Sequence, residues 1–388
     1  MSATSQMLSD LAFELSLEGF EVVVVTSRQC YEKPKEKLPQ YDSISGIEVF
    51  RVWSTRFGRS NLFGRAIDYL SFYPAAFLTL FRITHRHDVI IAKTDPPLIS
   101  VIAWMVAKLK RAKLVNWIQD IFPEVAEALG ILTWRPLIRL TRWLRNLSLK
   151  GASMNVVLGE RMREYVCAQG VVQSKVRVIT NWADGNNVKP ILKTNNRLRC
   201  KWHLEDKFVV GYSGNMGRAH NFDTLIGAMK WLRDEKKIVF LFVGDGAGKC
   251  FLEAAVKEFD LDNCIFKPYQ PRENLSESLS VPDVHYVSLN PSLEGLIVPS
   301  KIYGIIAAGR PSIFVGDLNG EIARVLNEFD CGSSFSIGSD KDLAEHIKIL
   351  ARKEEASQMD CTQIRDIFEQ NFNKRHATDS WSNILRNL

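Results

Sequence analysis

Short apolar runs alternate with longer stretches of helical periodicity along nearly the whole chain. Strand-like runs fall at 21–26, 47–52, 88–92, 113–118, 154–158 and 175–180. Helical periodicity occupies 62–84, 96–110, 134–149 and 159–169 between most of them. Residues 181–206 are mixed and polar, with few strong signals. A second series follows, with strands predicted at 208–212, 238–243, 264–267, 284–289, 312–315 and 333–336. Its helices are predicted at 222–234, 247–259, 272–280, 299–308 and 318–328, and three more close the chain at 340–353, 361–370 and 375–387. Strands alternating with helices in this way predict parallel, doubly wound sheets. The expected architecture is α/β: two doubly wound domains facing a cleft. Their bounds read as 1–182, a linker at 183–206, 207–370, and a C-terminal helix at 371–388 that packs back on the first domain.

The beginning departs from that pattern. Residues 2–18 read as an amphipathic helix with Leu8, Leu11 and Leu15 on one face. An α/β domain normally opens on a strand and a tight turn. That first strand is missing from the pattern, so the expectation is a truncated chain, a late start, or an edge filled in some other way.

Length and composition narrow the class. At 388 residues the chain exceeds a single core of roughly 250–300 residues, which supports two domains. Seven scattered cysteines without a CxxC pair exclude a zinc motif or disulfide framework and suit a reducing compartment. No apolar run reaches the roughly 20 residues that span a bilayer. Charge is uneven: residues 1–190 carry 25 Lys+Arg against 17 Asp+Glu, a net of +8, within a chain whose total is +6. A basic first half predicts a polyanionic partner there, with no nucleic-acid motif to specify one.

That basic surface has one concentrated stretch. In 131–150, Arg135, Arg139, Arg142 and Arg145 recur at helical spacing, Leu137, Leu140, Leu144 and Leu147 form a second stripe, and Trp134 and Trp143 stand at the edges. No carboxylate lies between Glu127 and Glu160. This is the pattern of a helix lying in an anionic membrane surface. The alternative is a core-packing helix with a solvated basic face.

Candidate chemistry clusters after strand ends. Pro291–Pro311 reads as a loop, then a short helix opening at Pro299 and stopping at Gly309. Glu294 and Gly295 lie in the loop, and Ser300 and Lys301 at the helix start. The stretch reads either as holding a sugar nucleotide, with a carboxylate for hydroxyls and Lys301 and the helix end for phosphates, or as an ordinary strand-loop-helix with solvated charges. The loop 211–225 offers Gly214, Asn215, Gly217, Arg218 and His220, either a phosphate cradle with Arg218 and His220 as donors or a structural turn. The run Val243-Gly-Asp-Gly-Ala-Gly-Lys249 fails the P-loop spacing and reads as a tight turn. Tyr269, in Lys267-Pro-Tyr-Gln-Pro271, can stack on a base or belong to a capped turn. Asp120 follows a strand in the first half, either as an acid, base or sugar-hydroxyl acceptor or as a helix N-cap.

In combination these stretches are specific. Gly-Tyr-Ser-Gly-Asn-Met-Gly (211–217), Phe-Val-Gly-Asp-Gly (242–246), Pro-Tyr-Gln-Pro (268–271) and Pro-Ser-Lys-Ile-Tyr-Gly-Ile-Ile-Ala-Ala-Gly-Arg-Pro (299–311) occur in that order. The chain resembles retaining glycosyltransferases of family 4, with the GT-B fold of two Rossmann-like domains. Ser2-Ala-Thr-Ser-Gln6, Thr94-Asp-Pro-Pro97 and Trp117-Ile-Gln-Asp-Ile-Phe-Pro123 make it most similar to bacterial O-antigen and colanic acid transferases of fucose or N-acetylfucosamine.

The resemblance implies a nucleotide-diphosphate-sugar donor in the second domain. It implies a polyprenyl-diphosphate-linked acceptor in the first, at the cytoplasmic face of the inner membrane. No metal or other cofactor is implied, because protein cations stabilise the leaving diphosphate. Lys301, Arg218, Glu294 and Asp120 are the expected catalytic residues. Gly214, Asn215, Gly217, His220, Tyr269, Gly295, Pro299 and Ser300 are expected to bind the nucleotide sugar. Two departures stand out: Asn215 and His220 replace the family's loop Arg and Lys, and Gly304 stands where a ribose-binding Glu belongs. A nucleotide-sugar 2-epimerase and a non-catalytic binding protein are the alternative readings.

Overall fold

A computed structural model describes residues 3–29, 38–57, 62–356 and 361–388. Ser2 of the first predicted helix and Cys30 lie outside the described residues. The chain divides into two compact units, Met1–Ile179 with Thr378–Leu388, and Thr180–Ala377.

Unit 1 contains α1 (Ala3–Leu17), β1 (Val23–Ser27), β2 (Tyr41–Ile44), β3 (Ile47–Val52), α2 (Leu62–Ile83), β4 (Val89–Lys93), α3 (Ile99–Lys110) and β5 (Lys113–Trp117). It continues with α4 (Glu124–Ala128), α5 (Arg135–Gly151), β6 (Met154–Val157), α6 (Glu160–Ala168) and β7 (Val176–Val178). Its strands form two sheets rather than one. β4-β5-β6-β7 is fully parallel, and β1-β3-β2 stands separately, with β1 parallel and β2 antiparallel to β3. Among the described residues no strand joins β1 to β4, where a continuous doubly wound sheet would have one. The consequence is visible in burial. All five residues of β1 keep some exposure, whereas β3 buries four of its six.

β2 was absent from the sequence pattern because Tyr-Asp-Ser-Ile is short and half polar. Its pairing is set by a two-residue turn, Ser45-Gly46, with φ of 51° and 84°. Two successive left-handed residues are what a type I′ hairpin requires, and Ile44 pairs Ile47 across it.

Unit 2 contains α7 (Arg197–Lys201), β8 (Phe208–Ser213), α8 (Asp223–Trp231), β9 (Ile238–Val243), α9 (Lys249–Glu258), β10 (Cys264–Lys267), α10 (Leu275–Ser280) and β11 (Val284–Ser288). α11 (Lys301–Ala307), β12 (Ser312–Val315), α12 (Glu321–Glu328), β13 (Gly332–Phe335), α13 (Asp340–Ala356) and α14 (Cys361–Asn371) follow, and α15 (Lys374–Arg386) runs into the C-terminal part of unit 1. The six strands are parallel in the order β10-β9-β8-β11-β12-β13. Their near-continuous apolar runs follow from helices covering both faces. Val210, Tyr212, Phe240 and Phe242 pack to one side with α8 and α13 residues. Val209, Val239, Leu241 and Val243 pack to the other with Leu198 and Trp202. The alternation is the period of two that a strand imposes.

Residues 183–206, expected as a linker, are packed into unit 2. Arg199 is fully buried there. Its Nη1 and Nη2 donate to the two oxygens of Asp283, both at 2.9 Å, and its Nε donates to the Leu204 carbonyl at 2.9 Å. Asp283 also accepts from the Val209 amide at 2.7 Å. In unit 1, Trp381 of α15 meets Trp117 at the end of β5, with ring centroids 5.1 Å apart.

Removing Arg199 would leave the buried Asp283 carboxylate with only the more distant Lys193 Nζ, at 3.5 Å, as a cation. Arg199→Met should therefore lower unfolding free energy by about 3–5 kcal/mol, read by urea denaturation. A loss below about 1 kcal/mol, the size of an exposed pair, would contradict this account.

Candidate active site

The sheet of unit 2 reverses its order between β8 and β11. The chain moves outward from β8 to β9 and β10 on one side, and from β11 to β12 and β13 on the other. The carboxyl ends of such a strand pair open the crevice where α/β sheets bind ligands. β8 leads into the loop 214–222 and β11 into 289–300, which ends on Lys301.

The two loops are knitted together. The Asn290 amide donates to the Ala219 carbonyl at 2.9 Å, and Asn290 Nδ2 to the Arg218 carbonyl at 3.1 Å. The loop after β9 also packs on the first, with Gly214 N–H donating to Val243 O at 2.9 Å and Met216 N–H to Asp245 O at 2.8 Å. This contact requires Gly244: its φ is +140°, and a Cβ there would lie 2.1 Å from the Gly214 carbonyl oxygen. The glycines of 243–249 thus serve a loop-on-loop contact.

Lys301 is the focus of the crevice. Its Nζ lies 3.6 Å from the centroid of the Tyr212 ring. The residue is half-buried, but its Nζ is fully buried and has no hydrogen-bond partner among the described residues. Desolvation holds the ammonium well below its usual pKa of 10.5. An aromatic face attracts a cation but supplies no oxygen. Gly214 borders the group, since a Cβ there would meet both Cε and Nζ at 3.8 Å. Sequence reasoning missed Tyr212, the platform for this cation. Its signal was an aromatic at the penultimate residue of β8. Ser213 was missed too, and its buried Oγ is likewise without a partner.

The other expected residues fall around this centre. Tyr212 donates its hydroxyl to the Asn215 carbonyl at 2.6 Å, and its ring meets His220 edge-on at 5.7 Å. His220 Nδ1 lies 2.6 Å from the Ser288 carbonyl oxygen. Burial and then Lys301 lower its pKa to about 3. Asn215 and Arg218 are exposed, and Gly217 lies between them. The Arg218 guanidinium makes no ion pair among the described residues. Tyr269 is exposed beyond β10, the edge strand. Gly295 takes φ +74° at the turn after Glu294. Glu294 Oε1 accepts from the Glu321 amide at 2.8 Å, which places its carboxylate at the first residue of α12. Burial raises its pKa, against the hydrogen bonds from Glu321 and Gly295.

α11 is shorter than the expected 299–308. It has seven residues, and Pro299 and Ser300 precede it. A helix of two turns carries little macrodipole, so the positive charge of the crevice rests on side chains.

In unit 1, Asp120 follows β5. Its surface is exposed, yet protein surrounds it on most sides. That desolvation and then Asp95 raise its carboxyl to about 6, with Lys93 opposing. Lys93, missed by sequence reasoning, ends β4 with Nζ 3.9 Å from the Trp117 ring centroid. Desolvation pulls its pKa to about 7, against Asp95, Asp10 and Asp120. The N-cap alternative for Asp120 fails, because the residue before α4 is Pro123.

α5 splits the expected membrane-facing set. Trp134, Arg135, Arg139, Leu140 and Trp143 are exposed. Arg145 is buried, a correction to its membrane-facing assignment, and its Nη2 donates to Glu124 Oε1 at 2.8 Å. Arg142 is half-buried and pairs with Glu124 at 2.7 Å and Glu127 at 2.9 Å. The carboxylates that oppose these arginines come from α4, just upstream of the stretch that looked unopposed.

Comparison with known proteins gives the geometry a family. Residues 3–182 match the model of the "Glycosyl transferase 4-like domain" and residues 195–364 that of "Glycosyl transferases group 1". The chain is 27% identical over 325 residues to a probable glycosyltransferase WbjE of Pseudomonas aeruginosa, covering 81% of this chain and 78% of the relative. It is 26% identical over 230 residues to a putative colanic acid biosynthesis glycosyl transferase WcaI of Escherichia coli (strain K12), covering 58% and 56%. Among solved structures, sucrose-phosphate synthase from Thermosynechococcus elongatus superposes with a TM-score of 0.78 at 16% identity, covering 100% of this chain and 93% of that one. Anabaena Alr3699/HepE in complex with UDP-glucose gives 0.73 at 16%, covering 100% and 97%. Together the two domain matches make the chain a member of the GT-B glycosyltransferases, a glycosyl transferase 4-like domain followed by a group 1 domain.

Proposed function

We propose that this chain is a retaining hexosyltransferase of cell-surface polysaccharide synthesis, of the O-antigen or colanic acid type. It moves a sugar, fucose or N-acetylfucosamine, from a nucleotide diphosphate to a polyprenyl-diphosphate-linked oligosaccharide. The observation that carries this reading is Lys301, a buried cation with an aromatic face beside it and no oxygen partner. A diphosphate supplies that oxygen. UDP is the favoured nucleotide, because the HepE structure was solved with UDP-glucose.

In the reaction, the acceptor hydroxyl oxygen bonds to the anomeric carbon as the bond to the diphosphate oxygen breaks, and the hydroxyl proton passes to the departing diphosphate. Negative charge grows on the diphosphate, and a preorganised cation there is worth more in the transition state than in the ground state. Lys301 meets that charge, with exposed Arg218 of the loop after β8 as a second cation, and no metal is assigned a role. Glu294 holds the loop to α12. Asp120 orients the acceptor hydroxyl in unit 1.

Lys301→Met should lower turnover by about a hundredfold or more and make the ligand-free protein more stable by about 1 kcal/mol. The sign follows from linkage. The folded pKa lies below 10.5, so the unfolded chain holds this proton more tightly. Lys301 therefore makes wild-type stability climb with pH until about 10.5, and the variant lacks that slope. Full turnover, or a loss of several kcal/mol, would contradict the assignment. Turnover of the donor without an acceptor would instead indicate the epimerase.

Membrane docking belongs to the same reading. α5 presents Trp134, Trp143 and Leu140 beside Arg135 and Arg139, and its neighbour α3 presents Met105 and Leu109. No helix among the described residues is long and apolar enough to cross a membrane. The paired change Trp134→Ala and Trp143→Ala should weaken binding to vesicles rich in anionic lipid by about tenfold or more, with the fold intact by circular dichroism. Unchanged vesicle binding would remove α5 from the membrane surface.

A further inference from the structure

Sequence places His220 among the phosphate donors, beside Arg218. Its geometry points elsewhere. The Ser288 carbonyl can only accept, so the 2.6 Å contact fixes the proton of the ring on Nδ1. The remaining nitrogen, Nε2, then carries a lone pair. It makes no hydrogen bond to the described residues and keeps some accessible surface, so it is free to meet a ligand. Three neighbours hold the ring in this state. The aromatic rings of Tyr212 and Phe222 lie at centroid distances of 5.7 and 6.4 Å, and the Lys301 charge opposes a second proton.

A lone pair repels a phosphate oxygen. It attracts a hydroxyl or an amide N–H. We propose that His220 is a neutral acceptor for a hydroxyl of the transferred sugar, and that its fixed tautomer makes it a specificity-determining residue rather than a phosphate ligand. The proposal rests on the donor site assigned above and divides its labour. Lys301, beside Gly214, takes the anion. His220, at the edge of the same Tyr212 ring, reads the sugar. The same geometry explains why a histidine works where a cation would be expected from the family pattern. A protonated side chain next to Lys301 would add a second desolvated positive charge, whereas the neutral ring adds an acceptor at no charge cost.

The test compares affinities for UDP and for a UDP-sugar on one variant. His220→Asn keeps an amide N–H for the Ser288 carbonyl and removes the acceptor at Nε2. The expected result is unchanged UDP affinity, UDP-sugar affinity lowered by about tenfold, and unchanged melting temperature. Nitrogen-15 NMR of the wild-type ring should show Nδ1 protonated and Nε2 bare, in the free protein and with UDP-sugar bound. Equal losses for UDP and UDP-sugar, or an imidazolium in the complex, would overturn the proposal in favour of a phosphate contact. Equal affinities for both ligands, unchanged from wild type, would overturn it as well. Failure of the donor reading itself looks different, because the wild-type protein would then bind neither ligand.

Discussion

Everything about the crevice of unit 2 depends on one unsatisfied demand, a lysine ammonium held out of water without an oxygen to bond. Such a group is costly, and a protein that keeps one has arranged its surroundings around it. Tyr212 gives the charge a face to rest on, with its own hydroxyl tied to the loop it supports. Gly214 leaves the space beside it, and Gly244 lets the next loop close against that glycine. The ordering of these glycine-containing loops and the desolvation of Lys301 are destabilising in themselves. They are offset by the parallel sheet behind them and by the Arg199–Asp283 pair that fastens residues 183–206 to β8 and β11.

The same arrangement sorts the polar residues of the site by sign. Lys301 and Arg218 are positive, one buried and one exposed. His220 is neutral, because burial and the nearby lysine both disfavour its second proton. Glu294 is turned toward α12, where the backbone amide of Glu321 holds it. The crevice therefore presents a cation and a neutral acceptor side by side. That is a pairing suited to a ligand with an anionic end and a hydroxylated end.

Much of the fold was legible in the sequence because both kinds of period are strong here. The strands of unit 2 are apolar throughout, as helices on both faces require, and all six lie where their β-rich runs fall. β2 escaped because its residues are half polar and its partner is reached through a two-residue turn, a signal carried only by Ser45-Gly46. The separation of β1-β3-β2 from β4-β5-β6-β7 could not be read from periodicity, since pairing between strands is not a local property. The site was legible in part. Lys301 stood out as a cation at a helix start, but the depth of its burial and its Tyr212 platform depend on tertiary packing. Arg145 misled for a related reason. Its spacing fits an exposed stripe, yet the Glu124 carboxylate that draws it inward lies 21 residues earlier in the chain. His220 was read by residue type, and only the Ser288 carbonyl shows which nitrogen carries the proton.

The central claim is that Lys301 exists to meet a diphosphate, and the most direct measurement is a crystal structure of the protein with bound UDP. The account predicts a phosphate oxygen within hydrogen-bond reach of Lys301 Nζ, about 2.7–3.2 Å, with the Tyr212 ring still beneath the ammonium. A diphosphate bound elsewhere, with Lys301 still buried over Tyr212 and without an oxygen partner, would contradict it.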